Sequence, residues 1–254
     1  MKDKLRISLC ATLALSILVV GTLVMLVAAI VTGFQARRLY REKILAGISR
    51  LILRVFSIKL RVHQEETFPQ GQVIYISNHS STIDLFVLTA LKLPNARFFL
   101  SGFLRQILPL GMIGYMIGVI WTVPQDYPEK RRRIFRKAER ILRHTGESVF
   151  LSPEGERITT GEIGHFNKGA FHLATALGVP IIPLYIHIPP EINPGRGLNA
   201  KPGLVDLFVM PPIDTTFWSI KNLHRNRTSV RNLYVGWHEH FRSGANTEPI
   251  ALAS

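Results

Sequence analysis

No charged residue occurs between Ile7 and Phe34. That run limits the chain more than any other feature. Backbone groups in hydrocarbon must find their hydrogen bonds internally, and a helix of ~20 apolar residues crosses a bilayer. The run is longer than that. A cleavable signal carries a shorter apolar core, ~7–15 residues, ahead of a small-x-small site. Ala28-Ala29 offers such a site, but the length favours a retained membrane helix. Lys2, Lys4 and Arg6 precede the run, and Arg37, Arg38, Arg41 and Lys43 follow it. The slight basic excess after the run puts the rest of the chain on the cytoplasmic side of the cytoplasmic (inner) membrane. A dip into one leaflet with a return near Gly21 is the alternative.

Beyond the run, Ile44, Leu45, Ile48, Leu51, Ile52, Val55 and Phe56 recur at three- and four-residue spacing, with Arg41, Lys43, Arg50 and Arg54 between them. This is a basic amphipathic helix. It either packs on its own domain or lies in the headgroup layer. The chain therefore divides into a membrane-embedded anchor at 1–34, a basic amphipathic interfacial segment at 35–62, and a folded body at 63–254.

The body alternates. Strands are expected near 72–77, 96–100, 118–123, 147–151, 180–186 and 204–210. Helices are expected near 82–92, 103–117, 127–144, 169–177 and 227–242, with a disordered tail from Ser243. Such alternation implies an α/β fold, a largely parallel sheet flanked by helices. Sites in such sheets form outside the carboxyl ends of the strands. Asp126 is the expected cap of the charged helix after Tyr127, and Gly146 its terminator.

The net charge of +14 invites two readings. Nucleic-acid binding wants a basic face with a recognisable module; none is visible, so no nucleic-acid partner is expected. Attraction to anionic membrane lipids is the simpler account. The run Lys130-Arg131-Arg132-Arg133 opens a helix, where cations oppose the macrodipole. It reads as a solvated face or as the seat of a partner anion. One cysteine, Cys10, permits no intrachain disulfide, and nine histidines show no metal-ligand spacing, so no metal or resident cofactor is expected.

Two segments carry chemistry. Asn78-His79-Ser80-Ser81-Thr82-Ile83-Asp84 follows the strand-like Val73-Ile74-Tyr75-Ile76. Five residues apart on a regular helix, His79 and Asp84 would point ~140° apart. They meet only if His79 sits in a strand-to-helix turn and Asp84 in the first helical turn. So placed, a carboxylate orients an imidazole that acts as a general base. A surface histidine beside a helix cap is the plain alternative. Ser80, Ser81 and Thr82 are cap candidates, and no nucleophile elbow surrounds the serines. The second segment is Ser152-Pro153-Glu154-Gly155-Glu156-Arg157, followed by Phe166-Asn167-Lys168-Gly169 and Val179-Pro180-Ile181-Ile182-Pro183. Read alone, Glu154-Gly155 is also consistent with a plain turn with glycine at positive φ.

Together these blocks resemble the glycerolipid acyltransferase family that includes the lysophosphatidate acyltransferases. Asn-His-x4-Asp is matched by Asn78, His79 and Asp84. Pro-Glu-Gly-x-Arg is matched by Pro153, Glu154, Gly155 and Arg157, and Phe-x-Lys-Gly by Phe166, Lys168 and Gly169. Val-Pro-x-x-Pro is matched by Val179, Pro180 and Pro183. The resemblance covers about residues 70–210 and makes 63–254 an acyltransferase domain. It implies transfer of a fatty acyl group from a thioester, acyl-CoA or acyl carrier protein, to the hydroxyl of 1-acyl-sn-glycerol-3-phosphate. His79 would be the base and Asp84 its orienter. Asn78, Arg105, Glu154, Gly155, Arg157 and Lys168 would serve substrate binding, with Glu154 at the acceptor headgroup.

The family pattern also has gaps here. A lysine usually follows the first block; this chain has Ser101-Gly102, and Arg105 is the nearby cation. An arginine usually ends the second block; this chain has Pro124. In the family those cations hold the acceptor's phosphate. Glu156 replaces the usual small residue. Another lyso-lipid acceptor, a lysophospholipid or an aminolipid, is therefore the second expectation; a non-catalytic lipid-binding module is the third. Oxyanion donors are expected near Gly155 or Val179-Pro180-Ile181. The glycines at 111, 114 and 118 suit either a core helix or the wall of an acyl-chain tunnel.

Overall fold

The computed structural model describes residues 2–242; the expected tail from Ser243 lies outside them. Helix α1 (Lys2–Val31) is continuous. It does not return at Gly21, because that glycine packs on Ile48: a Cβ there would stand 2.5 Å from Ile48 Cδ1. The helix is long and apolar enough to cross a membrane. Cys10, Ala14, Met25 and Ala29 face the protein, while Val20, Leu23, Val24 and Val27 face outward. Both ends are tied to the body. Arg6 donates to the Ala200 carbonyl at 3.1 Å, and Phe34 meets Tyr115 edge-on.

The amphipathic segment forms α2 (Arg37–Leu39), a π-helical turn (Tyr40–Leu45) and α3 (Ala46–Val55). Its apolar side packs inward through Ile48, Ile52 and Leu53, and Ser49 bonds Thr89 at 2.6 Å. The helical segment is shorter than expected. Ser57 turns the chain at φ 56, and Ile58–His63 becomes strand β1, pairing with a late strand along its whole length. That ladder is non-local, so the helical periodicity upstream gives no warning of it.

The remaining elements follow in alternation: β2 (Ile74–Ser77), α4 (Asp84–Ala90), β3 (Ala96–Ser101), α5 (Leu108–Ile117), β4 (Ile120–Thr122), α6 (Pro128–Thr145), β5 (Ser148–Leu151), α7 (Gly169–Leu177), β6 (Ile181–His187), β7 (Gly203–Val209) and α8 (Leu223–Arg242). The sheet order is β1-β7-β6-β2-β5-β3-β4. All pairs are parallel except β6 with β7. β2 and β5 are buried throughout, as strands covered on both faces must be. One face packs Tyr75, Phe98, Phe150 and Ile182 against α1, α3, α4 and α5. The other packs Ile74, Ile76, Val149 and Ile181 against α6, α7 and α8.

One local expectation changes. Asp126 does not cap α6. Tyr127 occupies the cap without a side-chain bond, and Pro128 opens the helix, where its missing N–H costs nothing. Gly146 ends it at φ 64 as expected. The α5 glycines allow close protein contacts, and Gly114 also lines an apolar crevice with Ile113 and Ile117. A Cβ on Gly114 would lie 2.3 Å from the Trp121 ring, and one on Gly111 2.3 Å from the Arg105 carbonyl oxygen. Gly118 closes the helix at φ 74.

One ion network joins the amphipathic segment to the sheet. Glu147 accepts from Arg41 and from Arg97, each at 2.5 Å, and the Arg41 side chain is only 4% exposed. Burial alone would raise the Glu147 carboxyl; the two guanidinium groups outweigh it and hold the group below its ordinary value. Glu147→Gln should therefore lower stability by about 3–5 kcal/mol, because a buried guanidinium loses its counter-charge. The contribution exists above the ordinary carboxylate range and disappears as pH falls through the lowered value. Thermal unfolding of the two proteins at neutral pH checks this; equal midpoints would show that the network is not stabilising.

Candidate active site

The site is built on the carboxyl ends of β2 and β5. β2 ends at Ser77, and the chain turns through Asn78 and His79 before α4 begins at Asp84. Asp84 is 1% exposed. Its Oδ2 accepts three hydrogen bonds: His79 Nδ1 at 2.8 Å, Ser80 N–H at 2.8 Å and Ser81 N–H at 2.9 Å. The Ser81 hydroxyl accepts from Ile83 N–H at 3.3 Å. The geometry demanded of the pair is thus met, with His79 in the turn and Asp84 in the first helical turn. An ionised Asp84 fixes the proton on Nδ1 and leaves Nε2 free to take one.

Asn78 secures the turn from behind. Its Nδ2 donates to the Ile186 carbonyl at 2.9 Å, and its Oδ1 accepts from Ile186 N–H at 2.8 Å. Both ends of the amide are engaged by β6. Glu154, 2% exposed, secures it from the side. Oε2 accepts from His79 N–H at 2.6 Å and Oε1 from Gly164 N–H at 2.8 Å. Its carboxylate ties the catalytic turn to the following loop. Ile158 N–H then donates to the His79 carbonyl at 2.8 Å, so the loop after β5 grips His79 twice. Burial pushes the Glu154 carboxyl up, from 4.5 to about 7, against the pull of the two backbone donors.

Gly155 adopts φ 73, with Asn167 Nδ2 2.8 Å from the place a Cβ would occupy. Its N–H donates to the Ser152 carbonyl. The three expected cations differ in setting. Arg157 lies in the same loop; burial lowers its pKa while Asp84 opposes that shift, and its Nε is buried without a partner. Lys168 is exposed at the start of α7. Arg105 is exposed in the 3-10 turn after β3. None of the three is hydrogen-bonded to His79 or Asp84. Val179-Pro180-Ile181 cannot supply an oxyanion hole to His79. Parallel pairing sets Ile181 beside Ile74, at the amino ends of these interior strands, about 13 Å of strand from the carboxyl end.

A cavity of about 390 Å³ opens beside the dyad, lined by polar groups of His79, Glu154, Thr159, Thr160, His187 and His238 and by apolar side chains such as Ile158 and Ile188. The His79 side chain is 29% exposed. A second, narrow crevice is apolar and lies on the opposite sheet face, between Leu18, Ile48, Phe86, Ile113 and Trp121. The site thus offers a chamber beside an imidazole oriented by Asp84, and a separate apolar crevice.

A family profile described as acyltransferase matches residues 59–187, which hold β1 through β6 and the whole dyad. The chain belongs to the acyltransferase family. Among relatives, the 1-acyl-sn-glycerol-3-phosphate acyltransferase of Limnanthes douglasii is 23% identical over 203 residues, 74% of this chain and 66% of that protein. The chain thus spans just under two thirds of that relative's length. The enzyme of the same name from Pseudomonas aeruginosa is 26% identical over 204 residues, 78% of this chain and 76% of that protein. The crystal structure of the 1-acyl-sn-glycerophosphate (LPA) acyltransferase PlsC from Thermotoga maritima superposes with a TM-score of 0.75 at 20% identity, over 93% of this chain and 97% of that one. That likeness establishes the fold.

In this acyltransferase several contributors escaped the sequence reading. Gly164 anchors Glu154 through a backbone N–H, which no side-chain pattern announces. Gln125 and Asn167 both donate to the Glu154 carbonyl, at 3.4 and 2.8 Å. Asn167 stands inside the Phe-x-Lys-Gly block as its unspecified residue, so only its amide type gave a signal. The raised Glu154 value generates a test. A carboxyl whose folded value lies above its unfolded one opposes folding once ionised, and the cost accrues between 4.5 and about 7. At about 1.4 kcal/mol per unit, it reaches about 3 kcal/mol. The melting temperature of wild type relative to Glu154→Gln should therefore fall as pH rises over that range. A constant difference would show a carboxyl already ionised at acid pH.

Proposed function

We propose that the protein moves a fatty acyl group from a thioester, acyl-CoA or acyl carrier protein, to the free hydroxyl of 1-acyl-sn-glycerol-3-phosphate, giving phosphatidic acid. The observation that carries the reading is the 2.8 Å contact of His79 Nδ1 with Asp84, at the wall of a cavity. His79 Nε2 takes the hydroxyl proton as the acceptor oxygen attacks the thioester carbonyl. The tetrahedral intermediate collapses, the carbon–sulfur bond breaks, and the imidazolium returns the proton to the departing thiolate. No acyl-enzyme is required when both substrates are aligned. Asp84 stabilises the imidazolium, while Asn78 and Glu154 hold the turn that presents it. The acyl chain is assigned to the apolar crevice, whose walls come from α1, α3, α4 and α5. The relatives' names support the acceptor.

The second reading is a different lyso-lipid acceptor, because Ser101 and Pro124 stand where the resemblance calls for cations. Purified protein given an acyl-thioester with lysophosphatidate or lysophosphatidylethanolamine should prefer the first. His79→Ala should abolish turnover with the fold retained, and Asp84→Asn should lower kcat by about 10²–10⁴. Full turnover in folded His79→Ala would refute the mechanism; preference for the ethanolamine lipid would replace the acceptor.

The same reading places α1 in the membrane, with Val20, Leu23, Val24 and Val27 against lipid and the catalytic body on the cytoplasmic side of the inner membrane. Full-length protein should stay in the membrane pellet after carbonate washing. Lysine at Val20, Val24 and Val27 together should release a substantial fraction, since each charge in hydrocarbon costs about 2.5–3.5 kcal/mol. Release of the unaltered protein by salt alone would contradict the anchor.

A further inference from the structure

The basic opening of α6 contains two kinds of arginine. Arg132 pairs with Glu129 at 3.1 Å and is exposed. Arg131 is half-buried and has no acidic partner among the described residues. Its Nη1 donates to the Val123 carbonyl at 2.9 Å, and its guanidinium lies 6.0 Å from the Phe135 ring centre. These two contacts aim the remaining fork. Nη2 points at Gly155, 3.8 Å from the place a Cβ would occupy. Gln125 Nε2 and Asn167 Nδ2 stand 3.2 and 2.8 Å from the same point. Each of those amides uses one N–H on the Glu154 carbonyl, and an amide nitrogen carries two. Spare donors from three side chains therefore converge over one glycine. The Glu154 carboxylate is turned away to His79 and Gly164.

The arrangement is costly unless something answers it. A guanidinium in the first turn of α6 opposes the helix dipole. Burial lowers the Arg131 pKa, and no group offsets that. Arg157, in the same loop, is a second partly buried cation, and its charge is felt by Asp84 and Arg196. A planar fork with flanking amides suits an anion with several oxygens, and phosphate above all. The position suits a substrate, because Gly155 adjoins the residue that holds the backbone of His79.

We propose that Arg131, with Gln125 and Asn167, binds the phosphate of the acceptor lipid, so that headgroup recognition comes from α6 rather than from the strand-end positions occupied here by Ser101 and Pro124. This rests on the acyltransferase reading of the site. Phosphate also reaches the enzyme on the donor, as coenzyme A or a carrier-bound phosphopantetheine, and the test separates the two.

Full-length protein in vesicles is assayed with lysophosphatidate and with 1-acylglycerol, which lacks the phosphate. Arg131→Gln should raise the lysophosphatidate KM at least tenfold and leave the 1-acylglycerol KM unchanged. Arg131→Lys should recover part of the loss, and Arg132→Gln should match wild type. Equal effects on both acceptors, no effect on either, or a rise confined to the acyl-CoA KM would overturn the assignment. Calorimetric titration with glycerol 3-phosphate reads the site without turnover. Binding that is lost in Arg131→Gln, in a protein that acylates nothing, would retain the site and sink the acyltransferase reading. Binding unchanged in Arg131→Gln, in an active enzyme, would do the reverse.

Discussion

A single carboxylate oxygen organises the catalytic turn. Asp84 Oδ2 accepts from the His79 ring and from the backbone of Ser80 and Ser81. The two backbone bonds close the strand-to-helix turn as a cap would, and the third sets the imidazole. Fold and chemistry therefore use the same atom. A side chain one methylene longer would not serve both from the first helical turn. Everything else around His79 reinforces that geometry: Asn78 clamps it to β6, Glu154 holds its N–H, and Ile158 takes its carbonyl.

The sheet separates two environments that acyl transfer needs apart. On one face α1, α3, α4 and α5 enclose an apolar crevice next to the helix that is long enough to cross a membrane. Near β6 and the end of α8, Asn78, Glu154, His187 and His238 are among the side chains around a chamber beside the dyad. The dyad stands at the strand ends between them.

Charge is distributed with a similar economy. The buried carboxylate Glu147 neutralises Arg41 and Arg97 and so fastens the amphipathic segment to the sheet. Asp206 pairs with Arg61 and hydrogen-bonds the His63 ring at the β1 edge. Among the described residues, Arg131 and Arg157 are partly buried guanidinium groups near the loop after β5 that form no ion pair. A cation left unmatched within a largely matched interior is informative, since desolvation without compensation is unfavourable.

Much was legible in the sequence because it is local. Periods of two and of three to four residues fix which segments are strands and helices. A seven-residue turn motif contains both members of the dyad, and an uncharged run needs no partner to be read. The tertiary structure decided what distant residues do together. Ile58–His63 became a strand because β7 was there to pair with it. Val179-Pro180-Ile181 fell at the amino ends of the strands because parallel register aligns strand starts. Glu154 became the strut of the catalytic turn across a separation of 75 residues. Arg131 was singled out from a run of four basic residues only by the helix face that turned it toward Gly155. Local patterns are written by neighbours in the chain; convergence of side chains is written by register and packing, which no single segment encodes.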